Sequence, residues 1–427
     1  MYHACMIELK CGEKNYPLQI ASERVLEVLR PRTGEAAGAP EALVERALDG
    51  CAGALANFRP GEKVVIVTSD VTRPTGSEVY LPLLVARLNA AGVADRDIVI
   101  VIALGIHRKQ SEAEHRRIVG ELYGRIKVVD HDCDDPGALV YLGDTARGIP
   151  VEINRTVAEA DRLILTGAVT FHYFAGFGGG RKSLLPGVSS RRSCMASHFA
   201  LLNKGEASGR HPKAVTGNLE GNPVHEAMIE ACGMRPPDFI LNTVLTPDKR
   251  ILAAFAGDWR SAHLDGCRFY ADSFSYPIAR KSDLVVVSCG GFPKDINLIQ
   301  AHKSMEYASR ALKPGGVMIL LAECRDGYGH ATFFNWFRCA SCQDLEAALR
   351  KRYEINGQTA WSVKEKAERF RVYLVSQLPP AEVAAMGMIP AETPQQALEL
   401  ALPGLPEDFT AYLIPEGGVV LPVQENH

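Results

Sequence analysis

Two runs rich in β-branched residues, Lys63–Thr68 (KVVIVT) and Asp97–Leu104 (DIVIVIAL), set the strongest limit on what this chain can fold into. A continuous apolar strand of this kind is covered on both faces, which calls for a parallel sheet with helices on either side. Helical periodicity follows from Ser77 to Ala91 and stops before Gly92, a suitable C-terminal cap. A helix over Ser111–Leu122, a strand over Ile126–Asp130 and another over Arg162–Thr166 continue the alternation. Strand and helix taking turns predict an α/β, doubly wound sheet.

The flanking regions extend that frame. Met6–Lys10 and Asn15–Ile20 read as a hairpin, and Glu41–Leu55 as a helix. From Gly205 to Pro236 the chain is richer in Gly, Asn and Pro, with a helix over Val224–Cys232. A second βαβ unit starts after Tyr270: strand Asp283–Ser288, helix Ile296–Leu312, strand Gly316–Leu321, with Gly315-Gly316 marking the helix exit. The expected division is an N-terminal domain over 1–275, completed by 402–427 through a strand within Asp408–Leu421, and a C-terminal α/β domain over 276–401. A length of 427 residues is ample for two cores.

Composition narrows the function classes. Formal net charge is −3 with no long basic block, which argues against nucleic acid as a partner. The apolar runs are too short to span a bilayer, and Met1–Lys10 lacks a secretory apolar stretch, so the expected location is cytoplasmic. Eleven irregularly spaced cysteines do not form a disulfide framework. Cys339 and Cys342 form a C-x-x-C, and Cys324 and His330 would complete a zinc set only with irregular spacing; two partly buried thiols are the better reading.

Chemically capable residues gather just after the strands, where open α/β sheets bind ligands. Ser69-Asp70-Val71-Thr72-Arg73-Pro74 follows the first strand and His107-Arg108 the second. His172-Tyr173-Phe174-Ala175-Gly176-Phe177-Gly178-Gly179-Gly180-Arg181-Lys182-Ser183 follows Arg162–Thr166. Gly290-Gly291 and then Gln300 and Lys303 follow Asp283–Ser288. The glycine cluster fails two phosphate fingerprints, because Arg181 stands where both a Walker A loop and the third position of G-x-G-x-x-G require Gly. The expectation that survives is an anion cradle of backbone N–H groups, with charge added by Arg181 and Lys182. His107 and His172, just past apolar strands, are candidate acid/base groups among twelve histidines; His263 and His115 have nothing nearby to single them out.

Taken together, Ser69 to Pro74, Gly105-Ile106-His107-Arg108, His172 to Pro186 (HYFAGFGGGRKSLLP), His198, and Gln300 with Lys303 resemble the nickel-pincer family of lactate racemase and related hydroxyacid racemases. That resemblance implies two α/β domains with largely parallel sheets and an interdomain active-site cleft. It implies a racemase or epimerase of a 2-hydroxy acid, with a 2-keto acid intermediate reached by hydride transfer. The cofactor would be the nickel-pincer nucleotide, pyridinium-3-thioamide-5-thiocarboxylic acid mononucleotide with Ni(II), made by dedicated cofactor-assembling enzymes and attached covalently at Lys182. His198 would ligate the metal, a single protein ligand sufficing for a planar sulfur-rich donor set. Asp70, Thr72, Phe174, Gly176, Gly178, Gly179, Gly180, Lys182 and Pro186 would hold the nucleotide. His107 and His172 would each serve one enantiomer, while Arg73, Gln300 and Lys303 would bind the substrate.

One position departs from lactate racemase itself: Ile299 stands where a tyrosine is expected beside the glutamine, and Trp361 falls in a region of aromatic pocket residues. The departure bears on which hydroxyacid is taken, not on the chemistry. Rival readings are a cofactor-holding protein without turnover, an NAD-dependent 2-hydroxyacid dehydrogenase, and a P-loop phosphotransferase.

Overall fold

The Val64–Ser69 strand is buried along its length save for its last residue, as its β-branched run predicts. In the computed structural model, which describes residues 4–32, 38–205 and 208–424, it lies inside a six-stranded sheet. The strand order is 251–257, 239–245, 162–168, 64–69, 98–103, 127–130, parallel except for the antiparallel first pair. The chain builds outward from Val64–Ser69 through Ile98–Ala103 to Lys127–Asp130, then returns to lay Arg162–Ala168 on the other edge of Val64–Ser69. The order therefore reverses between Val64–Ser69 and Arg162–Ala168, the crevice where doubly wound sheets take ligands.

Helix Ser77–Ala90 covers one face, burying Leu81, Leu84, Val85 and Leu88 with Val64, Ile66, Ile100 and Ile164. Helix Glu112–Val119 begins at a capping box in which Ser111 and Glu114 satisfy each other's backbone N–H. Across the reversal, Tyr80 donates to Thr166 Oγ1 at 2.9 Å, and Thr166 donates to the Val67 carbonyl at 2.9 Å. Buried polar groups on the two switch strands are thus paired.

The chain divides into two units: Thr33–Gly205 with Arg210–Asp272, and Met1–Arg32, Glu206–Gly209 and Ser273–His427. The second unit has its own parallel six-stranded sheet, ordered 389–391, 371–375, 312–321, 282–288, 411–414, 25–28. The expected return of the C-terminal segment to the first domain is corrected. Ala411–Ile414 pairs with Ser282–Ser288 on one side and Val25–Val28 on the other, and the N-terminal hairpin (Ala4–Cys11 with Lys14–Ala21) joins the same unit. The reason is edge closure. Ser282–Ser288 is an interior strand whose second row of N–H and C=O groups needs partners, and Ala411–Ile414 supplies them.

Gly315-Gly316 does not mark a helix exit either. The helix Leu298–Ala308 gives way to a short 3₁₀ turn at Ser309–Ala311, and the glycines form a bulge in which pairing skips from Leu312 to Val317. All eleven cysteines are free, and Cys342 is a buried thiol pushed up to about 12 by burial, against a redox or zinc role. No helix among the described residues is long and apolar enough to cross a membrane.

Ile66 is fully buried at the centre of the first sheet. Ile66→Ala should cost about 2–5 kcal/mol through lost transfer energy and a residual cavity. A denaturant midpoint that stays at the wild-type value would show that this strand is not the core of the unit.

Candidate functional site

At the end of Val64–Ser69 the chain turns on Asp70, whose side chain is fully buried. Oδ1 accepts from the Thr72 N–H at 2.8 Å and from the Thr72 hydroxyl, an Asx-type turn. Oδ2 accepts from Arg73 Nη1 at 2.9 Å and faces His107 Nδ1 at 3.2 Å. Burial would raise the Asp70 carboxyl, but the His107 hydrogen bond, the Arg73 charge and Thr72 more than reverse it, holding it below the usual carboxylate range. The side chains of Asp70 and Thr72, both expected at the cofactor, are hydrogen-bonded to one another, and Asp70 also to Arg73 and His107.

His107 belongs to the loop after Ile98–Ala103. Gly105 N–H donates to the Gly187 carbonyl at 2.7 Å, which joins this loop to the segment carrying Lys182. The Arg73 guanidinium lies against the imidazole, with Nη1 3.0 Å from Nδ1 and 3.4 Å from Nε2. With Nδ1–H donating to Asp70, Nε2 is the nitrogen that carries the lone pair.

The third loop is the glycine segment. Phe171–His172 pairs with Gly176–Phe177 in a two-residue antiparallel ladder, closing a tight turn over Tyr173-Phe174-Ala175. Gly176 has φ +77, and a Cβ there would lie 2.2 Å from the Asn218 carbonyl oxygen; Gly179 has φ +108, and a Cβ would meet His263 at 2.8 Å. At these two positions the surrounding chain packs closely enough to require glycine. The Gly178 N–H donates to the Thr170 carbonyl at 2.8 Å and the Gly180 N–H to Asn242 Oδ1 at 2.7 Å. The expected anion cradle is therefore corrected at both groups: internal partners already take them.

Arg181 is corrected as well. It is fully buried, donating to the Gly178 carbonyl at 2.7 Å, the Phe177 carbonyl at 3.0 Å and His225 Nδ1 at 3.0 Å, with His263 Nε2 at 2.7 Å from Nη1. Burial lowers it to about 10, which leaves it a cation at neutral pH. It braces the loop from inside. His263, which the sequence gave no reason to notice, is a partner 82 residues away, so only tertiary packing brings the two together.

From Phe171 to Ser190 every residue is buried except His172, Lys182 and Pro186, which are partly exposed. Lys182 Nζ lies 2.7 Å from His172 Nε2, and His172 Nδ1 accepts from the Ala175 N–H at 3.3 Å. Phe174 is buried between two imidazoles, edge-on to His172 at 4.4 Å and to His198 at 5.2 Å.

His198 sits in the last turn of helix Arg191–Phe199, whose N-terminus Ser190 caps. Its Nδ1–H donates to the Cys194 carbonyl at 2.8 Å, which fixes the tautomer and leaves the Nε2 lone pair for another partner. Burial pushes the imidazole down to about 3, helped by positive charge at Lys182 and Arg73. A neutral imidazole with one nitrogen tied to a backbone carbonyl is how proteins present a histidine to a metal. The adjacent Cys194 is a protonated thiol, raised to about 12 by burial, and a poor competitor for that role. Among the described residues no group of three or more His, Cys, Asp or Glu could hold a metal ion.

Gln300 and Lys303 belong to the other unit, in the first turns of helix Leu298–Ala308, which Asn297 caps. Both are exposed, and Lys303 Nζ donates to Gln300 Oε1 at 2.8 Å. Ile299 beside them is half-buried, with its N–H on the Tyr328 carbonyl at 3.2 Å; Trp361 is buried in helix Ile355–Arg369.

Residues 11–209 match the lactate racemase N-terminal domain family and residues 278–421 the lactate racemase C-terminal domain family. A lactate racemase of Thermoanaerobacterium thermosaccharolyticum is 34% identical over 427 residues, 97% of this chain and 98% of the relative. One from Lactiplantibacillus plantarum is 35% identical over 391 residues, 88% of this chain and 90% of the relative. The solved structure of the Thermoanaerobacterium thermosaccharolyticum lactate racemase apoprotein superposes with a TM-score of 0.89 at 33% identity, covering 98% of this chain and 100% of that one. A crystal structure of a Thermotoga maritima protein, at TM-score 0.65 and 20% identity over 90% of this chain and 98% of that one, shares the fold. With both domain families matched and relatives aligned over nearly the whole length, the chain belongs to the lactate racemase family and is an isomerase of the racemase class.

Proposed function

We propose that the protein racemises or epimerises a 2-hydroxy acid with the nickel-pincer nucleotide, held by His198 and covalently by Lys182. The observation that carries this reading is a neutral His198 with Nε2 available, on the same unit as a partly exposed Lys182 in an otherwise buried segment. The donor set fits: one imidazole from the protein and soft donors from the ligand suit nickel. When bound, the group supplies a reversible acceptor for the C2 hydride, so that the substrate passes through a 2-keto acid.

The chain's own residues do the rest. His107 Nε2, with Asp70 behind the ring, takes and returns the hydroxyl proton of one enantiomer, and His172 does so for the other. Arg73 presents its remaining N–H groups to the substrate carboxylate. Gln300 and Lys303 orient the substrate in this reading, and Phe174 keeps the His172 and His198 rings at fixed positions. Pro186 and the glycine segment shape the nucleotide site, with Asp70 and Thr72 acting through Arg73 and His107. The substrate is proposed as a small 2-hydroxy acid, lactate being one candidate, because Ile299 replaces the tyrosine expected in lactate racemase itself. The reading brings with it enzymes that assemble the nucleotide and a cytoplasmic location. A dehydrogenase using free NAD is disfavoured, since the Gly178 and Gly180 N–H groups that would face a pyrophosphate are engaged internally.

Two outcomes test the proposal. Cofactor-loaded protein, offered enantiopure 2-hydroxyacids in deuterated water, should interconvert enantiomers while C2 keeps its protium; extensive deuterium at C2 would indicate proton abstraction instead. Asp70→Asn should lower turnover by roughly 10²- to 10⁴-fold, the usual range for a disabled acid/base group, while leaving cofactor loading near wild type. Loss of loading with unimpaired turnover per bound cofactor would return Asp70 to a cofactor-binding role.

A further inference from the structure

The stretch from Gly205 to Pro236, rich in Gly, Asn and Pro, supplies none of the groups assigned to cofactor or substrate. Its portion from Arg210 to Asn222 nonetheless grips the turn that follows His172. Arg210 Nη1 donates to the Tyr173 carbonyl at 3.0 Å, Asn222 Nδ2 to the Phe174 carbonyl at 2.9 Å, and the Gly217 N–H to the Gly176 carbonyl at 2.9 Å. The remaining carbonyl of the four, at Ala175, accepts from the Phe177 N–H within the turn at 3.0 Å. The same segment is tied to the helix of His198. The Leu201 N–H donates to the His198 carbonyl at 3.2 Å, the His211 N–H donates to the Leu201 carbonyl at 2.8 Å, and Arg210 pairs with Leu202 in an antiparallel bridge. Inside the segment, Asn218 Nδ2 donates to the carbonyls of Lys213 and Glu220 at 2.8 and 3.0 Å, which holds it in a compact fold. One end therefore holds the helix that carries His198, and the other holds the turn that begins at His172.

Asn222 is the key residue of this clasp. It is fully buried, and its side chain makes four hydrogen bonds. Oδ1 accepts from the Val224 and His225 N–H groups at 3.1 and 3.3 Å, capping helix Pro223–Met234. Nδ2 gives its two hydrogens to the Phe174 and Asn218 carbonyls, each at 2.9 Å. The Phe174 ring, held through that carbonyl, stands between two imidazoles, with centroids 4.4 Å from His172 and 5.2 Å from His198. We propose that Asn222 is a positioning residue of the racemase site: through the Phe174 carbonyl it sets the separation of His172 and His198. This rests on the reading of His172 as an acid/base group and His198 as the metal ligand. The two imidazoles have to act on one bound assembly at once, and a misplacement of about 1 Å can cost about a hundredfold in rate. A turn in which three of four successive carbonyls are held from one segment keeps that precision.

Asn222→Asp separates the clasp from the cap. An ionised carboxylate keeps an oxygen for the Val224 and His225 N–H groups but has no hydrogen for Phe174 or Asn218. Asn222→Ser does the same by a second route, with a capping hydroxyl on a shorter side chain. Glu230→Gly, inside the same helix, is the stability control. The full chain without cofactor, carrying 13C-labelled histidine, is observed by NMR, with ring signals assigned from His172→Gln and His198→Gln. The ring C–H signals of His172 and His198, which lie beside the Phe174 ring, should shift in both Asn222 variants, while those of His115, held by Asp130, stay in place. Glu230→Gly should lower the melting temperature and move none of them. Unmoved His172 and His198 signals in both Asn222 variants, or the same shifts in Glu230→Gly, would overturn the proposal. In cofactor-loaded protein, Asn222→Asp should keep KM near wild type, because Arg73 stands on another loop, while kcat falls at least about tenfold. A raised KM with unchanged kcat would overturn the positioning role. Shifted NMR signals in a chain whose wild type takes up no nickel and racemises no 2-hydroxyacid would overturn the functional reading and leave the clasp between the imidazoles standing.

Discussion

A buried guanidinium with no carboxylate beside it governs the geometry of the glycine segment. Arg181 is fully buried, and its N–H groups go to the carbonyls of Phe177 and Gly178 and to the neutral imidazole of His225, with His263 Nε2 2.7 Å from Nη1. A buried charge is tolerated only when its hydrogen bonds are made, and a buried carbonyl turned away from water needs a donor equally. Each solves the other's problem. Because those carbonyls are held inward, the following turn carries Lys182 toward His172, and Ser183 anchors the turn to the Thr166 carbonyl at 2.6 Å. Remove the cation, and the segment loses the donors that define its path.

A second constraint is the reversal in strand order. Strands Val64–Ser69 and Arg162–Ala168 are neighbours, so the loops that follow them, with Asp70 and His172, leave the sheet side by side. The adjacent strand Ile98–Ala103 adds His107 from the next loop. Asp70 then couples two of the three loops through one carboxylate, fixing Arg73 and His107 with the same oxygen. Charges at Arg73 and Lys182 both bear on His198, which ties the helix after the glycine segment to the same cluster.

The residues that spoke most plainly in the sequence were those whose role follows from periodicity or position after a strand. The β-branched runs around Ile66 and Ile100 gave the parallel sheet because burial on both faces leaves no polar alternation to confuse. His107, His172 and Lys182 stand out in the sequence because they follow strands. What stayed hidden was tertiary. Nothing near Arg181 says that it points inward, because its partners His225 and His263 lie 44 and 82 residues along the chain. The packing that requires glycine at Gly176 and Gly179 is hidden for the same reason: their neighbours, Asn218 and His263, come from distant segments. The strand Ala411–Ile414 was seen, but its sheet was misassigned, since edge satisfaction depends on which strand is left open and not on local pattern.

In the function proposed, this unit offers a nickel-bearing nucleotide one imidazole, His198, and no other metal ligand from among the described residues. X-ray absorption at the nickel edge of cofactor-loaded protein tests it directly. The account predicts a single imidazole nitrogen among sulfur donors, and its loss in His198→Ala. Two or more imidazoles at nickel, or an unchanged spectrum in that variant, would contradict it.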